Sequence, residues 1–158
     1  MFISLEKATL KDINEIHEIQ VLTFKSLLEK YKDYYMSPGA ETIEQLIIKM
    51  NQNTTDYYFI KENSKAVGII RICKLIEKEQ CKISPIGILP EYQNKGIAQN
   101  VFLLIEKMYS PKNGWVLDTI LEEHANCYLY EKIGYVKTGK IDFIKPGMNI
   151  VYYEKKNA

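Results

Sequence analysis

The run CKISPIGILPEYQNKGIAQNVFLLIEKM, residues 81–108, restricts the possible folds more than any other part of the chain. Its first third is apolar and β-branched and reads as a strand. Its last part places Ile97, Ala98, Val101, Phe102, Leu104, Ile105 and Met108 at helical spacing. A further apolar run, WVLDTI, follows at 115–120. Strand, helix and strand in that order predict a parallel crossover. The other strands read as hairpin partners: 55–62 with 66–76 across ENSK, and 134–143 with 148–155.

Around these lie a strand at 2–8, a helix to about residue 31 that starts at Thr9 with Asp12, and a second helix capped by Thr42 with Gln45. A short helix is predicted at 124–133. The order β-α-α-β-β-β-α-β-α-β-β predicts an α/β domain whose sheet is mostly antiparallel, with its crossover in the second half. Pro85 inside the 81–89 strand marks an edge, a bulge or a point where pairing stops.

The totals narrow the function classes. A chain of 158 residues suits one domain, 1–158. The net charge is +1, which argues against a nucleic-acid partner. Nearly all positive charge is lysine, and Arg71 is the single arginine, so bidentate phosphate recognition by arginine is scarce. Cys73, Cys81 and Cys127 form no CxxC pair; neither a disulfide framework nor a metal site is expected, and a reduced, cytoplasmic setting fits. Charges interrupt the N-terminal stretch throughout, so neither a signal peptide nor a membrane span is expected.

Gly96 poses a chemical question, because glycine is a poor helix residue and this one opens a helix. The first amides of a helix lack internal partners, and with the helix dipole they favour an anion. A glycine there lets the anion reach the backbone, and Lys95 adds a full charge beside it. The patterns GxxxxGK[ST] and GxGxxG are both absent, which leaves out the Walker and dinucleotide loops.

The loop instead carries Q-x-x-G-x-A, namely Gln93, Gly96 and Ala98. It resembles the pyrophosphate loop of the GCN5-related N-acetyltransferase (GNAT) superfamily. IGILPEYQNKGIA resembles that superfamily's strand-loop-helix unit, and LYEKIGY, residues 129–135, resembles its second signature. The element order agrees over almost the whole chain. The resemblance implies a mixed, mostly antiparallel seven-stranded sheet flanked by about four helices. It also implies acetyl-CoA as co-substrate, with no metal.

By that resemblance the fourth strand splays from the fifth, and Ile86, Gly87 and Ile88 line the pantetheine arm. Gln93, Asn94, Lys95, Gly96, Ile97 and Ala98 would hold the pyrophosphate. Tyr130 matches the tyrosine that protonates the leaving thiolate, a role a positioned hydroxyl can fill. Asp118 matches a position where some members carry an acidic base; Glu122, Glu123, His124 or water are alternatives. Many members have an asparagine seven residues before the tyrosine. Here Glu123 stands there, and Asn126, one turn on, is the candidate for that contact. Cys127 reads as a small core residue.

The acceptor implied is a small amine or a peptide N-terminus, bordered by YKDYYMSPGAE with Tyr31, Tyr34, Tyr35 and Met36. Two other readings stay open: a non-catalytic acyl-CoA-binding or regulatory module on the same fold, and an interaction protein without a cofactor. The C-terminal strands, with NIVYYE, read as an aromatic-rich edge that another strand or a second copy, as a homodimer, would cover.

Overall fold

The computed structural model describes residues 1–157. Seven strands form one sheet in the order β1-β2-β3-β4-β5-β7-β6: β1 Ile3–Lys7, β2 Thr55–Glu62, β3 Lys65–Leu75, β4 Gln80–Ile88, β5 Trp115–Ile120, β6 Val136–Lys145 and β7 Met148–Lys155. Four α-helices flank it: α1 Ile13–Tyr31, α2 Ile43–Met50, α3 Ile97–Met108 and α4 His124–Lys132. Every neighbouring pair is antiparallel except β4 and β5. The mixed α/β architecture expected from the pattern is therefore the one observed.

Local chemistry accounts for most boundaries. Thr9 with Asp12, and Thr42 with Gln45, form complete capping boxes ahead of α1 and α2. Lys32, in the left-handed region at φ 55°, closes α1. Asn63 and Ser64, at φ 49° and 75°, make the tight turn between β2 and β3.

Two apolar layers sandwich the sheet. Ile97, Val101, Phe102 and Ile105 of α3, with Cys127 and Tyr130 of α4, pack on Ile70, Ile72, Ile83, Trp115 and Leu117. Ile16 and Ile19 of α1 and Leu46 of α2 pack on Tyr57, Phe59 and Ile69 from the other side. Each such side chain contributes roughly 1.5–3 kcal/mol when fully buried. Met108, expected in the apolar stripe of α3, is half exposed because the helix ends there, past the core.

NIVYYE is covered by two strands of this chain, one of the alternatives its pattern left open. It belongs to β7, which lies inside the sheet between β5 and β6; the C-terminal edge is β6, with Val136, Ile141 and Phe143 exposed. β6 takes the outer position and the hairpin brings β7 back between it and β5, which a linear pattern of two strands does not reveal. Among the described residues no helix is long and apolar enough to cross a membrane.

Candidate active site

The parallel seam between β4 and β5 is paired only at Cys81 with Trp115 and at Lys82 with Val116. Beyond Lys82 the two strands part. The reason lies in β4, where the register to β3 jumps: Ile72 faces Ile83 but Ile70 faces Ile86, so Ser84 and Pro85 hold one extra residue opposite Arg71. Such a bulge bends and twists its strand, and proline removes a ladder donor. Pro85 thus marks both a bulge and the place where pairing to β5 ends.

The backbone beyond the bulge has a defined orientation. Leu89 N–H donates to Val67 O at 2.8 Å. Antiparallel alternation then turns the amide and carbonyl of Gly87 toward β3, and those of Ile86 and Ile88 toward the opening. The carbonyl of Ile88 is taken by Gln93, whose Nε2 donates to it at 2.9 Å. Ile86 and the Ile88 amide remain as an unpaired strand edge. Gly87 serves the packing instead, because a Cβ there would lie 2.5 Å from Thr23 Oγ1 and 2.9 Å from Phe24 Cε2. Its missing side chain lets α1 sit against β4.

The loop after β4 opens onto the same gap. Asn94 and Gly96 take left-handed conformations, φ 60° and 81°, and turn the chain so that α3 starts without a side-chain cap. The amides of Gly96, Ile97, Ala98 and Gln99 donate to no acceptor among the described residues. Nothing lies within 4 Å of where a Gly96 Cβ would stand. Four free donors, a helix dipole and open space suit an anion. Lys95 Nζ and Lys65 Nζ each lie 5.6 Å from the ring centre of Tyr92 and flank the loop with positive charge. Lys65 is the first residue of β3, and nothing in its sequence context signals this position.

Tyr130 of α4 is buried within a group of edge-to-face rings, 5.8 Å from Phe102, 6.3 Å from Tyr135 and 6.1 Å from Tyr153. Its hydroxyl makes no hydrogen bond among the described residues. Burial, with smaller contributions from Cys127 and Asp118, pushes it up to about 12. The phenol therefore stays protonated at neutral pH.

Asp118 lies on the other face of the sheet. Trp115 and Leu117 point into the α3/α4 core, so alternation sends Asp118 outward. There it pairs with Lys82 Nζ at 3.0 Å, across the parting strands. The other candidate bases are engaged or remote. Glu122 accepts from Asn149 N at 2.8 Å and Asn149 Nδ2 at 2.7 Å, and these bonds hold its carboxyl below the usual glutamate value. Glu123 accepts from Tyr31 and, at 2.7 Å, from Lys30. Burial works to raise the Glu123 carboxyl, but these two partners outweigh it and leave it lowered. Glu123 thus ties the end of α1 to the start of α4. His124 is exposed.

Asn126 is half-buried, and its side chain makes no hydrogen bond among the described residues. The Cys127 thiol is buried and donates to Ile120 O at 3.8 Å and Leu121 O at 3.7 Å, as a structural cysteine does. Tyr34, Tyr35 and Met36 stand in solvent, whereas Tyr31 is buried against Glu123. Among the described residues no three His, Cys, Asp or Glu side chains gather as metal ligands.

A sheet that opens along its parallel seam, with a free strand edge and an anion-binding helix start at the opening, defines the fold class of the acyl-CoA-dependent acyltransferases. Residues 17–157 match the profile of the acetyltransferase (GNAT) domain, and the chain belongs to that family. A curated relative, beta-lysine N(6)-acetyltransferase of Methanococcus maripaludis, is 26% identical over 96 residues, which cover 59% of this chain. The match spans about a third, 35%, of that protein's length. Among solved structures, PaiA N-acetyltransferase from Thermoplasma acidophilum in complex with coenzyme A superimposes with a TM-score of 0.75 at 18% identity, covering 99% of this chain and 100% of that one. Spermidine N-acetyltransferase from Vibrio cholerae in complex with CoA and spermine gives 0.76 at 16% identity, covering 98% and 95%. At these identities the likeness carries the fold.

Proposed function

We propose that this single domain transfers the acetyl group of acetyl-CoA to a primary amine by direct attack in a ternary complex. One observation carries the reading. The unpaired edge at Ile86 and the four free amides of Gly96–Gln99 border one opening, with Tyr130 and Asp118 on opposite faces of the sheet beside it. The relatives named above are N-acetyltransferases, two of them in complex with coenzyme A, which supports the same choice.

Ile86 and the Ile88 amide would accept the pantetheine arm as a further strand. The amides from Gly96 to Gln99, with Lys95 beside them, would hold the pyrophosphate, and Gln93 keeps the loop folded onto β4. Asn126 is free to meet the arm from α4. When bound, acetyl-CoA supplies an activated acyl carbon and a thiolate leaving group. Asp118 takes the proton of the incoming ammonium, directly or through water, on the open face of the sheet. Tyr130 gives its proton to the departing sulfur from the α3/α4 face and recovers one, through water, from the attacking nitrogen, which sheds its second proton as the amide forms. Base and acid on opposite faces of the sheet would reach the attacking amine and the leaving sulfur from different sides.

A thiol-release assay with acetyl-CoA against a panel of amines and N-terminal peptides, run beside calorimetry with CoA, tests the proposal. Release with an acceptor supports it. CoA binding without release from any acceptor favours the binding-module reading, and absence of CoA binding refutes both.

A further inference from the structure

We infer that the acceptor amine also carries a carboxylate, and that Arg71 binds it. This rests on the acetyltransferase reading and specifies its substrate.

The position of Arg71 is set by register. Tyr57 pairs with Arg71, Cys73 with Lys82, Lys82 with Val116, and Asp118 with Tyr152. Alternation puts Tyr57, Arg71, Lys82, Asp118 and Tyr152 on one face, the face on which α1 and α2 pack. Arg71 stands opposite the Ser84–Pro85 bulge, two strands from Asp118 across the parting β4–β5 seam. It is therefore beside the opening on the acceptor side. The anion loop lies past the end of β4, so the diphosphate is not its partner.

Its charge has no counterion. The guanidinium donates to Ser84 O at 3.5 Å, Gln52 Oε1 at 3.2 Å and Thr55 Oγ1 at 3.4 Å, all neutral acceptors. Its Nε–H is buried with no acceptor among the described residues, and the same holds for the hydroxyl of Tyr57, whose ring centre lies 5.8 Å from Arg71 Cζ. A partly buried cation without an anion, beside an orphan hydroxyl, is costly unless something binds there. A carboxylate can accept from the guanidinium, whose planar fork suits it.

The acidic groups that border the opening on this face are held by partners, while Glu154, on the same face, stands at the closed end of the seam opposite Val116. Glu41 pairs with Lys49 at 2.5 Å and accepts from Gln20 at 2.9 Å. Asp118 pairs with Lys82 at 3.0 Å, Glu123 with Lys30 at 2.7 Å, and Asp142 accepts from Tyr152 at 2.6 Å. A polycation acceptor would need carboxylates without partners. The unmatched charge here is positive, and it calls for an anion on the substrate.

The test compares matched pairs in thiol release: each common amino acid against its own carboxamide, and lysine against cadaverine. The carboxylate member of at least one pair should be preferred in kcat/KM by about tenfold or more. In Arg71→Gln that ratio should fall toward one, through KM for the carboxylate member, and Arg71→Lys should restore part of it. Calorimetry with CoA and thermal unfolding of each variant separate this from loss of fold. Equal or better use of the carboxamide or the diamine, a ratio unchanged in Arg71→Gln, or failure of every amino acid to be acetylated overturns the inference. Failure of the wild-type chain to bind CoA overturns the acyltransferase reading and this inference with it.

Discussion

Two glycines of the candidate site should fail in different ways when given a methyl group. At Gly87 a Cβ would meet Thr23 Oγ1 at 2.5 Å, Thr23 Cβ at 2.9 Å and Phe24 Cε2 at 2.9 Å. Thr23 is buried, β-branched and stiff in its helix, and its hydroxyl already donates to Gln20 O at 3.0 Å. The clash is therefore relieved by lifting α1 from β4, an overpacking change that costs about 2 kcal/mol. In a chain of this length that lowers Tm by roughly 4–8 °C. At Gly96 the Cβ meets nothing, but φ 81° strains any other residue by about 1 kcal/mol. Gly96→Ala should lose only roughly 2–4 °C. The new methyl would stand where the anion is to approach, so CoA affinity should fall by at least about tenfold, or 1.4 kcal/mol. Differential scanning calorimetry and titration with CoA measure both quantities. Wild-type CoA affinity in Gly96→Ala would refute the anion cradle, and wild-type stability in Gly87→Ala would refute the helix-seating role.

Tyr130→Phe should lower kcat by about a hundredfold or more with little change in stability, because the hydroxyl has no protein partner to lose; an unchanged rate would remove the acid role. Since burial pushes Tyr130 up to about 12, the wild-type rate should show no alkaline decline from this group below about pH 11, a limb that a pH-rate profile of kcat checks. Asp118→Asn should depress kcat well beyond Glu122→Gln, whose carboxylate is committed to Asn149; comparable losses in steady-state rates would assign the base elsewhere. The lowered Glu123 carboxyl adds stability that is complete above its unfolded value, about 4.3, and is lost as pH falls through the lower folded value. Glu123→Gln should therefore cost about 2 kcal/mol near neutrality and progressively less as pH falls below the unfolded value, as urea titrations across that range would show.

Much of the fold is legible because its signals are local. Capping boxes at Thr9 and Thr42 depend on residues three apart. The apolar stripe of α3 and the Asn63–Ser64 turn need only their own segments. Gln93, Gly96 and Ala98 are readable for the same reason, since the turn that leaves the first amides of α3 free is written in consecutive residues. The lateral pairings were not readable in this way. Glu122 and Glu123 stand among the candidate bases in the linear pattern. Only packing brings Asn149 to one, and Lys30 with Tyr31 to the other.

The amino-acid sequence by itself determined the order of elements, the crossover, the bulge-prone Ser84–Pro85 step and the glycine that frees the start of α3. These follow from backbone sterics and from side chains within a few residues of one another. Tertiary structure alone decided that β7 inserts between β5 and β6, that Gly87 seats α1, and that Asp118 faces away from Tyr130. It also left Arg71 without a counterion while Glu41 and Asp118 found partners. The physical reason is range: hydrogen bonds and ion pairs act over a few ångströms, and only the packed sheet sets which residues distant in the chain come that close.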